Sequence, residues 1–246
     1  MENVIDELKT SLSTKNNSVA DLQKLFFDIS EKLMNEYEIQ INDIKFELTE
    51  IEFYYFDERK HSDVYTHTHE KQLNSNRLYV HESWGNRGGI DLTFGNGEFY
   101  GGILIRGIKL HDQFVAGPAK VRDALIKELN QDFDSWEDLQ KFFDDNPIMI
   151  DRKESDKEHK IYHSKRVGIS EKENGKKYKN ALYRFVREDY LLESNGDTRK
   201  NLKESTTIKA ISSLTLGYDT NEKEAKKNVE KDEDLMKFIR LFNPNL

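Results

Sequence analysis

The segment from residue 44 to residue 110 constrains the fold most, because it consists of short runs of β-branched and aromatic residues. The runs read IKFELTEIEFYYF, RLYVHESW, GIDLTFG and GGILIRGIKL, and the turn-like stretches GNRGG and GNGE separate them. Val, Ile, Thr, Tyr and Phe favour strands, whereas Gly and Asn favour turns. We therefore predict a curved, mostly antiparallel sheet.

Helical patterns flank this sheet on both sides. Before it, Ser18 is a typical N-cap, and the apolar residues after it recur at helical spacing: Leu22, Leu25, Phe26, Ile29 and Leu33. After it, residues 117–145 indicate helices, one beginning beside Pro118 and one capped by Ser135 with Asp138. The fold class we predict is α+β, a single domain with an N-terminal helix and a C-terminal helical tail.

The chain divides into three segments by texture. Residues 1–43 form an N-terminal helical segment, residues 44–190 form the domain, and residues 191–246 form a charged C-terminal extension. Within the domain, DRKESDKEHK is predicted as a surface loop, and IYHSKRVGIS and YKNALYRFVRED as strands that complete the sheet. The extension contains an apolar patch at residues 208–216 and a closing helix with Leu235, Phe238, Ile239 and Leu241.

Composition excludes several classes of protein. The chain has 0 cysteines, which excludes disulfides, thiolate metal sites and cysteine nucleophiles. No apolar run approaches the length of a membrane span, and the first residues lack the pattern of a secretion signal. We therefore expect a soluble cytoplasmic protein without a membrane partner, associated with the nucleoid if the source is bacterial.

The charge of the chain gives opposing indications about nucleic acid. A formal net charge of −8 argues against a nucleic-acid partner, because Lys and Arg neutralise phosphates in such complexes. One segment is nevertheless crowded with basic residues, namely Lys165, Arg166, Lys172, Lys176, Lys177, Lys179, Arg184 and Arg187. This segment is either a local nucleic-acid face or an ordinary solvated face.

The strand ELTEIEFYYF carries the chemistry that most suggests a function. Glu50, Glu52 and Tyr54 alternate with apolar residues, so they share one face of the strand. If Ile51 and Phe53 face the core, the acidic face lines a groove. The alternative interpretation is a half-exposed strand with its polar side chains in solvent.

Several fragments together resemble the alkyladenine (3-methyladenine) DNA glycosylase family and follow its order. They are EIEFYYFDERKHS, LYVHESWG, GILIRGI, GPAKVRDAL, KRVGI and YRFVR. The resemblance covers about residues 44–190. It implies a monofunctional enzyme that flips a modified base out of double-stranded DNA, hydrolyses its N-glycosidic bond and leaves an abasic site for base excision repair. It implies no cofactor and no metal.

The resemblance also implies roles for individual residues. Glu52 is the catalytic carboxylate, and it holds the nucleophilic water together with Arg106 and the backbone carbonyl of Val167. A carboxylate suits this reaction because the sugar develops oxocarbenium character and water must lose a proton. Trp84 corresponds to the wedge inserted into the gap left by the base. The DNA-backbone contacts we expect are Lys165, Arg166, Lys176, Lys177 and Lys179.

The base pocket shows both agreement with the family and departures from it. Tyr54 and His81 correspond to the two rings that stack on the flipped base, with His81 in place of a tyrosine, and His61 corresponds to a residue whose backbone reads the base edge. Asp91 replaces an asparagine that helps to reject guanine; we expect it to face a groove without a buried partner. A protonated His81 would repel a cationic base. The segment THTHEKQ replaces the family's Thr-x-Arg-Asn element.

Three alternatives to this function stay open in the sequence. His67 and His69, projecting from one face of an extended segment, suggest a metal site with His61 or His81, although no ligand spacing of a known kind is present. The chain could be a catalytically inactive module that senses a modified base or nucleotide and binds a protein partner through its acidic surface or tail. A third alternative is an N-glycosidase acting on nucleosides or RNA, for which an exposed Trp84 wedge would be unnecessary.

Overall fold

The computed structural model describes residues 3–14, 18–82, 88–154, 158–166 and 168–193. The helices are α1 (Val4–Thr14), α2 (Val19–Asn35), α3 (Pro118–Leu129), α4 (Trp136–Asp145), α5 (Lys176–Lys179) and α6 (Glu188–Glu193), with a short 3-10 helix at Glu70–Leu73. The strands are β1 (Tyr37–Ile41), β2 (Ile44–Asp57), β3 (His61–Ser62), β4 (Ser75–Val80), β5 (Ile90–Phe94), β6 (Tyr100–Leu110), β7 (Gln113–Ala116), β8 (Met149–Arg152), β9 (Ile161–Ser164) and β10 (Arg184–Arg187). The predicted features of residues 194–246 lie outside these ranges.

The strands form a curled antiparallel sheet centred on β2. Its main order is β4-β5-β6-β2-β1-β8, while β10 pairs with β2 and β9, β3 pairs with β2, and β7 pairs with β6. The α+β fold with one mostly antiparallel sheet is thus confirmed. No helix within the described ranges is both long and apolar enough to cross a membrane.

Helices α1 and α2 cover one face of the sheet. The β2 residues Ile51, Phe53 and Tyr55 are fully buried on this face, and the ring of Phe26 from α2 stacks on Phe53 with centroids 4.3 Å apart. Helix α1 adds Val4, Ile5, Leu8 and Leu12 to the same core. Because side chains alternate along a strand, the other face of β2 carries Glu50, Glu52 and Tyr54.

The N-terminal segment differs from the helical segment that the sequence suggested. Ser18 caps α2 as predicted, accepting a hydrogen bond from the backbone N–H of Asp21. The chain then forms β1, which lies between β2 and β8. The turn from β1 to β2 is tight because Asn42 adopts a left-handed φ of 51°, a conformation that Asn tolerates better than most residues. Residues 1–43 therefore contribute a strand to the sheet as well as two helices to the core.

Two predictions about the later segments are also corrected. The predicted loop 151–160 begins inside a strand, since Asp151 and Arg152 belong to β8. In the predicted strand YKNALYRFVRED, the first two residues, Tyr178 and Lys179, belong to the helical turn α5, the last two, Glu188 and Asp189, begin α6, and the strand is limited to β10. The turn buries Tyr178, whose ring centroid lies 4.7 Å from that of His61, while Lys176 and Lys177 remain exposed.

Candidate functional site

The candidate site lies on the face of the sheet opposite α1 and α2. Glu52 on β2 pairs with Leu104 on β6, and Leu104 pairs with Asp91 on β5. Residues paired directly across antiparallel strands point to the same face, so the carboxylates of Glu52 and Asp91 share this face. Both side chains are buried, with Glu52 0% and Asp91 2% exposed.

A bulge in β6 directs Arg106 toward the two glutamates of β2. The pairing moves from Glu50 with Gly107 to Ile51 with Ile105, so Arg106 is the extra residue. Such bulges re-aim a side chain. Arg106 Nε lies 2.7 Å from Glu50 Oε1 and 3.4 Å from Glu52 Oε1. The sequence prediction had placed Arg106 beside Glu52, and the structure brings these two residues together.

Glu50 is the centre of a buried ionic network. Arg184 Nε lies 2.8 Å from Glu50 Oε1, and the hydroxyl of Tyr190 donates to Glu50 Oε2 at 2.8 Å. Burial alone would raise the pKa of Glu50, but the positive charges of Arg184 and Arg106 outweigh it and lower the pKa to about 2. Glu50 is therefore enclosed by arginines rather than open to a groove, which corrects the expectation for this glutamate.

Tyr54 connects Glu52 to the surroundings of the site. Its hydroxyl donates a 2.8 Å hydrogen bond to Glu52 Oε2. Burial, together with the negative charge of Glu52, raises the pKa of Tyr54 well above its usual value, so the hydroxyl stays protonated and acts as the donor. On its other side, the guanidinium of Arg166 lies 4.5 Å from the centroid of the Tyr54 ring. Tyr54 is thus held at both its ring and its hydroxyl.

A cavity of about 220 Å³ opens beside Tyr54. Its lining includes three of the four residues predicted for a base pocket, namely Tyr54, His81 and Asp91. The remaining lining residues are Tyr65, His67, Gln72, Gly168, Ile169, Ser170 and Lys172. The cavity is smaller than the ~300–1,000 Å³ typical of pockets for drug-sized ligands, and its aromatic and polar lining suits one heteroaromatic ring system of the size of a nucleobase.

Asp91 is held by two protein donors. His81 Nε2 lies 2.8 Å from Asp91 Oδ1, and the side-chain amide of Gln72 donates to Asp91 Oδ2 at 2.9 Å. Gly102 on β6 makes room for this arrangement, since a Cβ there would lie 2.5 Å from Asp91 Oδ2 and 2.6 Å from Gln72 Nε2. The expectation of a groove carboxylate without buried partners is therefore wrong.

The pKa values of the two histidines that line the cavity shift in opposite directions. Burial would lower the pKa of His81, but the carboxylate of Asp91 outweighs it and raises the pKa. Burial lowers the pKa of His67, and the charge of His81, 4.4 Å away between ring centroids, lowers it further. The contact with Asp91 therefore favours the charged form of His81, whereas burial favours the neutral form of His67.

The histidines do not assemble the metal site considered from the sequence. Thr68 has a left-handed φ of 52°, so His67 and His69 do not project from an extended segment. His69 instead caps the 3-10 helix and stacks on Tyr79. Within the described part of the chain, no group of three or more His, Cys, Asp or Glu side chains could hold a metal ion.

His61 lies apart from the cavity lining. It is buried, its ring is stacked 5.4 Å from that of Tyr55, and the Tyr183 hydroxyl lies 3.4 Å from its Nε2. Tyr55 belongs to the core-facing side of β2, so the His61 ring packs with the core. The structure therefore does not bring the His61 side chain together with Tyr54 and His81.

The basic segment divides into buried and surface residues. Arg166 is fully buried and forms an ion pair with Asp63 at 2.6 Å, and Arg187 is paired with Glu47 and Asp189. The prediction that Arg166 contacts a phosphate is therefore corrected, because its guanidinium is inside the protein. Lys165 and Lys179 are half-buried, whereas Lys176 and Lys177 are exposed. Among the described residues of this basic segment, the side chains that could meet a phosphate are therefore lysines.

Two predicted site residues, Trp84 and Val167, lie outside the described residues. Conversely, sequence reasoning did not assign Tyr65, Gln72, Ile169 or Ser170 to the pocket, and it considered His67 only as a metal ligand. The segment THTHEKQ could have pointed to some of these residues, because it contributes His67 and Gln72 to the cavity lining. Its departure from the family pattern thus falls on the pocket itself.

Fold and site together define an α+β protein with a buried carboxylate beneath a polar aromatic cavity. No family model matches the chain. The chain is similar to an uncharacterized protein of Acanthamoeba polyphaga mimivirus, with 28% identity over 193 residues that cover 68% of this chain and 88% of the viral protein. This similarity points to no activity.

Proposed function

We propose that the chain is a DNA glycosylase that releases a modified base from DNA. The observation that carries the proposal is the contact between Glu52, fully buried beside Arg106, and Tyr54, which lines the cavity. Cleavage of an N-glycosidic bond needs a carboxylate close to the place where the base is held, because positive charge develops on the sugar. In this arrangement Glu52 is one hydrogen bond away from the cavity lining.

The cavity is the proposed binding site for the modified base. Tyr54, Tyr65 and His81 offer ring faces on which a heteroaromatic base could stack, and Lys172 lies at the same cavity. Acting on a base inside a duplex requires extruding it at a cost of a few kcal/mol, which stacking in a fitted cavity can offset. Lys176, Lys177 and Lys179 on α5 follow Lys172 closely and are the proposed contacts to the DNA backbone.

One observation favours a second candidate, a catalytically inactive module that binds a modified base or nucleotide. Arg166, Arg184 and Arg187 are occupied by Asp63, Glu50 and Glu47 inside the protein. With a net charge of −8, the chain therefore has less basic surface for duplex DNA than the sequence suggested. A module that binds a nucleotide needs less basic surface than a protein that binds duplex DNA.

A base-release assay tests the proposal. Purified protein is incubated with duplexes that carry a panel of modified bases, and alkali then cleaves the strand at any abasic site. We expect strand breaks with wild type and none with Glu52→Gln, which retains the shape of the side chain but removes its charge. The matched control is Glu98→Gln, an exposed glutamate outside the site. Binding without release by wild type would favour the inactive module, and full release by Glu52→Gln would reject Glu52 as the catalytic group.

A further inference from the structure

The ion pair between His81 and Asp91 is built into the wall of the cavity. Asp91 is 2% exposed, and its two carboxylate oxygens are held by His81 at 2.8 Å and by Gln72 at 2.9 Å. Gln72 is itself only 1% exposed. The carboxylate is therefore directed at the protein, and its negative charge favours a protonated His81 beside it.

We infer that this pair makes the cavity selective for an uncharged heteroaromatic base and excludes a base that carries a positive charge. The inference rests on the proposed function, because it names the class of base that the same cavity would accept. It concerns binding, so it can be tested separately from base release.

The charges at the cavity wall support the exclusion of a cation. Among the described residues that line the cavity, Asp91 is the one acidic side chain, and Lys172 is a second cationic group beside His81. A cationic ring would need Asp91 as its counter-ion, but both oxygens of Asp91 are already held by His81 and Gln72. It would also meet the like charges of His81 and Lys172 at short range, in surroundings that screen charge less than water does.

The same groups favour an uncharged ring. An imidazolium attracts the electron-rich face of a neutral aromatic ring, as other protein cations do. Lys172 also lines the cavity, and its ammonium, which donates one hydrogen bond to the carbonyl of Val64 at 3.0 Å, has further donors for a carbonyl oxygen on such a ring. Burial and the neighbouring His81 lower the pKa of His67, which favours its neutral form, so His67 adds a ring surface. The wall thus offers stacking and hydrogen-bond donors but no available anion.

Two nucleosides of matched shape test the inference. 1-Methylinosine is uncharged, and 1-methyladenosine carries the same methyl group on the same ring nitrogen but is cationic near neutral pH. Calorimetric titration with the full chain measures the affinity for each. We expect wild type to bind 1-methylinosine about tenfold more tightly or better, which corresponds to about 1.4 kcal/mol.

Variants of His81 identify the group responsible. His81→Phe keeps a ring but removes the charge, and His81→Gln removes the charge but keeps a hydrogen-bond donor. Either variant should lose the preference, mainly by gaining affinity for 1-methyladenosine. His111→Phe is the matched control, because His111 is an exposed histidine paired with Glu128 away from the cavity, and it should retain the preference. Melting curves of all variants establish that they are folded, and either His81 variant suffices if the other does not fold.

The outcomes separate this inference from the proposed function. Equal affinity of wild type for the two nucleosides would overturn the inference about selectivity. A preference that persists in the folded His81 variants would also overturn it, and so would a failure of wild type to bind either nucleoside. Selective nucleoside binding without base release from any duplex would reject the glycosylase while supporting the selectivity of the cavity. Release of both cationic and uncharged bases at equal rates would support the glycosylase and reject the selectivity of the cavity.

Discussion

The hydroxyl of Tyr54 donates a 2.8 Å hydrogen bond to the carboxylate of Glu52, so one side chain both lines the cavity and holds the buried acid. This relationship makes the roles of ring and hydroxyl separable. Tyr54→Phe keeps the stacking surface and removes the bond to Glu52. We expect base release to slow by about tenfold while affinity for the modified duplex stays close to wild type. Single-turnover rates and titrations measure the two effects. A loss of affinity with an unchanged rate would contradict this assignment.

Asp91→Asn tests the pair that closes the cavity wall. The amide can still bond to Gln72 and His81, but it lacks the charge that raises the pKa of His81. The stability should fall by about 1–3 kcal/mol, since buried partners lose a charged acceptor. The substrate profile should shift toward cationic, alkylated adenine, because His81 loses the carboxylate that favours its charged form. Urea unfolding and a side-by-side duplex panel measure these changes, and an unchanged profile with lower stability would make Asp91 purely structural.

The ionic network of Glu50 predicts a stability that depends on acid pH. The pKa values of Glu50 and Glu47 are lowered from 4.5 to about 2 in the folded protein. A carboxyl whose pKa is depressed on folding stabilises the protein above its unfolded pKa, and that contribution is lost as the pH falls toward the folded pKa. The free energy of unfolding should therefore fall between about pH 4.5 and pH 2. Urea titrations over this range measure it.

A variant assigns the acid-sensitive contribution to Glu50. Glu50→Gln should lower stability at neutral pH by about 3–5 kcal/mol, because Arg106 and Arg184 lose the charge they share. Its remaining stability should decline less steeply in acid than that of wild type. Glu98→Gln, at an exposed position, should leave the dependence of the free energy of unfolding on pH unchanged. A Glu50→Gln profile parallel to that of wild type would place the acid sensitivity elsewhere.

The lysines of α5 predict the salt dependence of DNA binding. Changing Lys176, Lys177 and Lys179 together to Gln should weaken binding and reduce the slope of log affinity against log salt by ~0.9 for each phosphate contact that is lost. Substitution of three exposed lysines elsewhere, Lys24, Lys127 and Lys141, provides a control with the same change in net charge. Titrations at several salt concentrations measure both. Equal effects of the two triple variants would show that total charge, rather than α5, determines affinity.

The stack of Phe26 on Phe53 predicts that the N-terminal helices unfold together with the sheet. Phe26→Ala removes a fully buried ring from α2 and should cost about 3–5 kcal/mol. Far-UV circular dichroism and tryptophan fluorescence should report one coincident transition in both proteins. Phe56→Ala, at a half-buried position, should cost less. An early transition of the helices alone would indicate that they form a separate unit.

The sequence predicted features that depend on local periodicity and failed where tertiary contacts decide. The alternation of Ile51, Phe53 and Tyr55 placed the core face of β2, and Ser18 and Ser135 marked their helix starts. Arg106 was matched to Glu52 only through the family resemblance, because the bulge that aims it is a property of strand pairing.

The charge pattern was the least informative part of the sequence. Arg166 and Lys176 are both basic residues of the same segment, and the sequence does not distinguish them. In the structure Arg166 is buried against Asp63, which is distant in sequence, whereas Lys176 is exposed. The partners of Asp91 were missed for a similar reason, since Gln72 reaches it from another element. Neither pairing has a local signal in the sequence.

The absence of a side chain at Gly102 has a consequence for how this pocket can change during evolution. A Cβ there would come within 2.5 Å of Asp91 Oδ2 and 2.6 Å of Gln72 Nε2, so a larger residue requires one of those side chains to be replaced or displaced. The three positions should therefore vary as a set among homologues, and a chain with Ala at the position of Gly102 should also differ at Asp91 or Gln72. Such covariation would distinguish proteins that share this pocket from those that share only the fold.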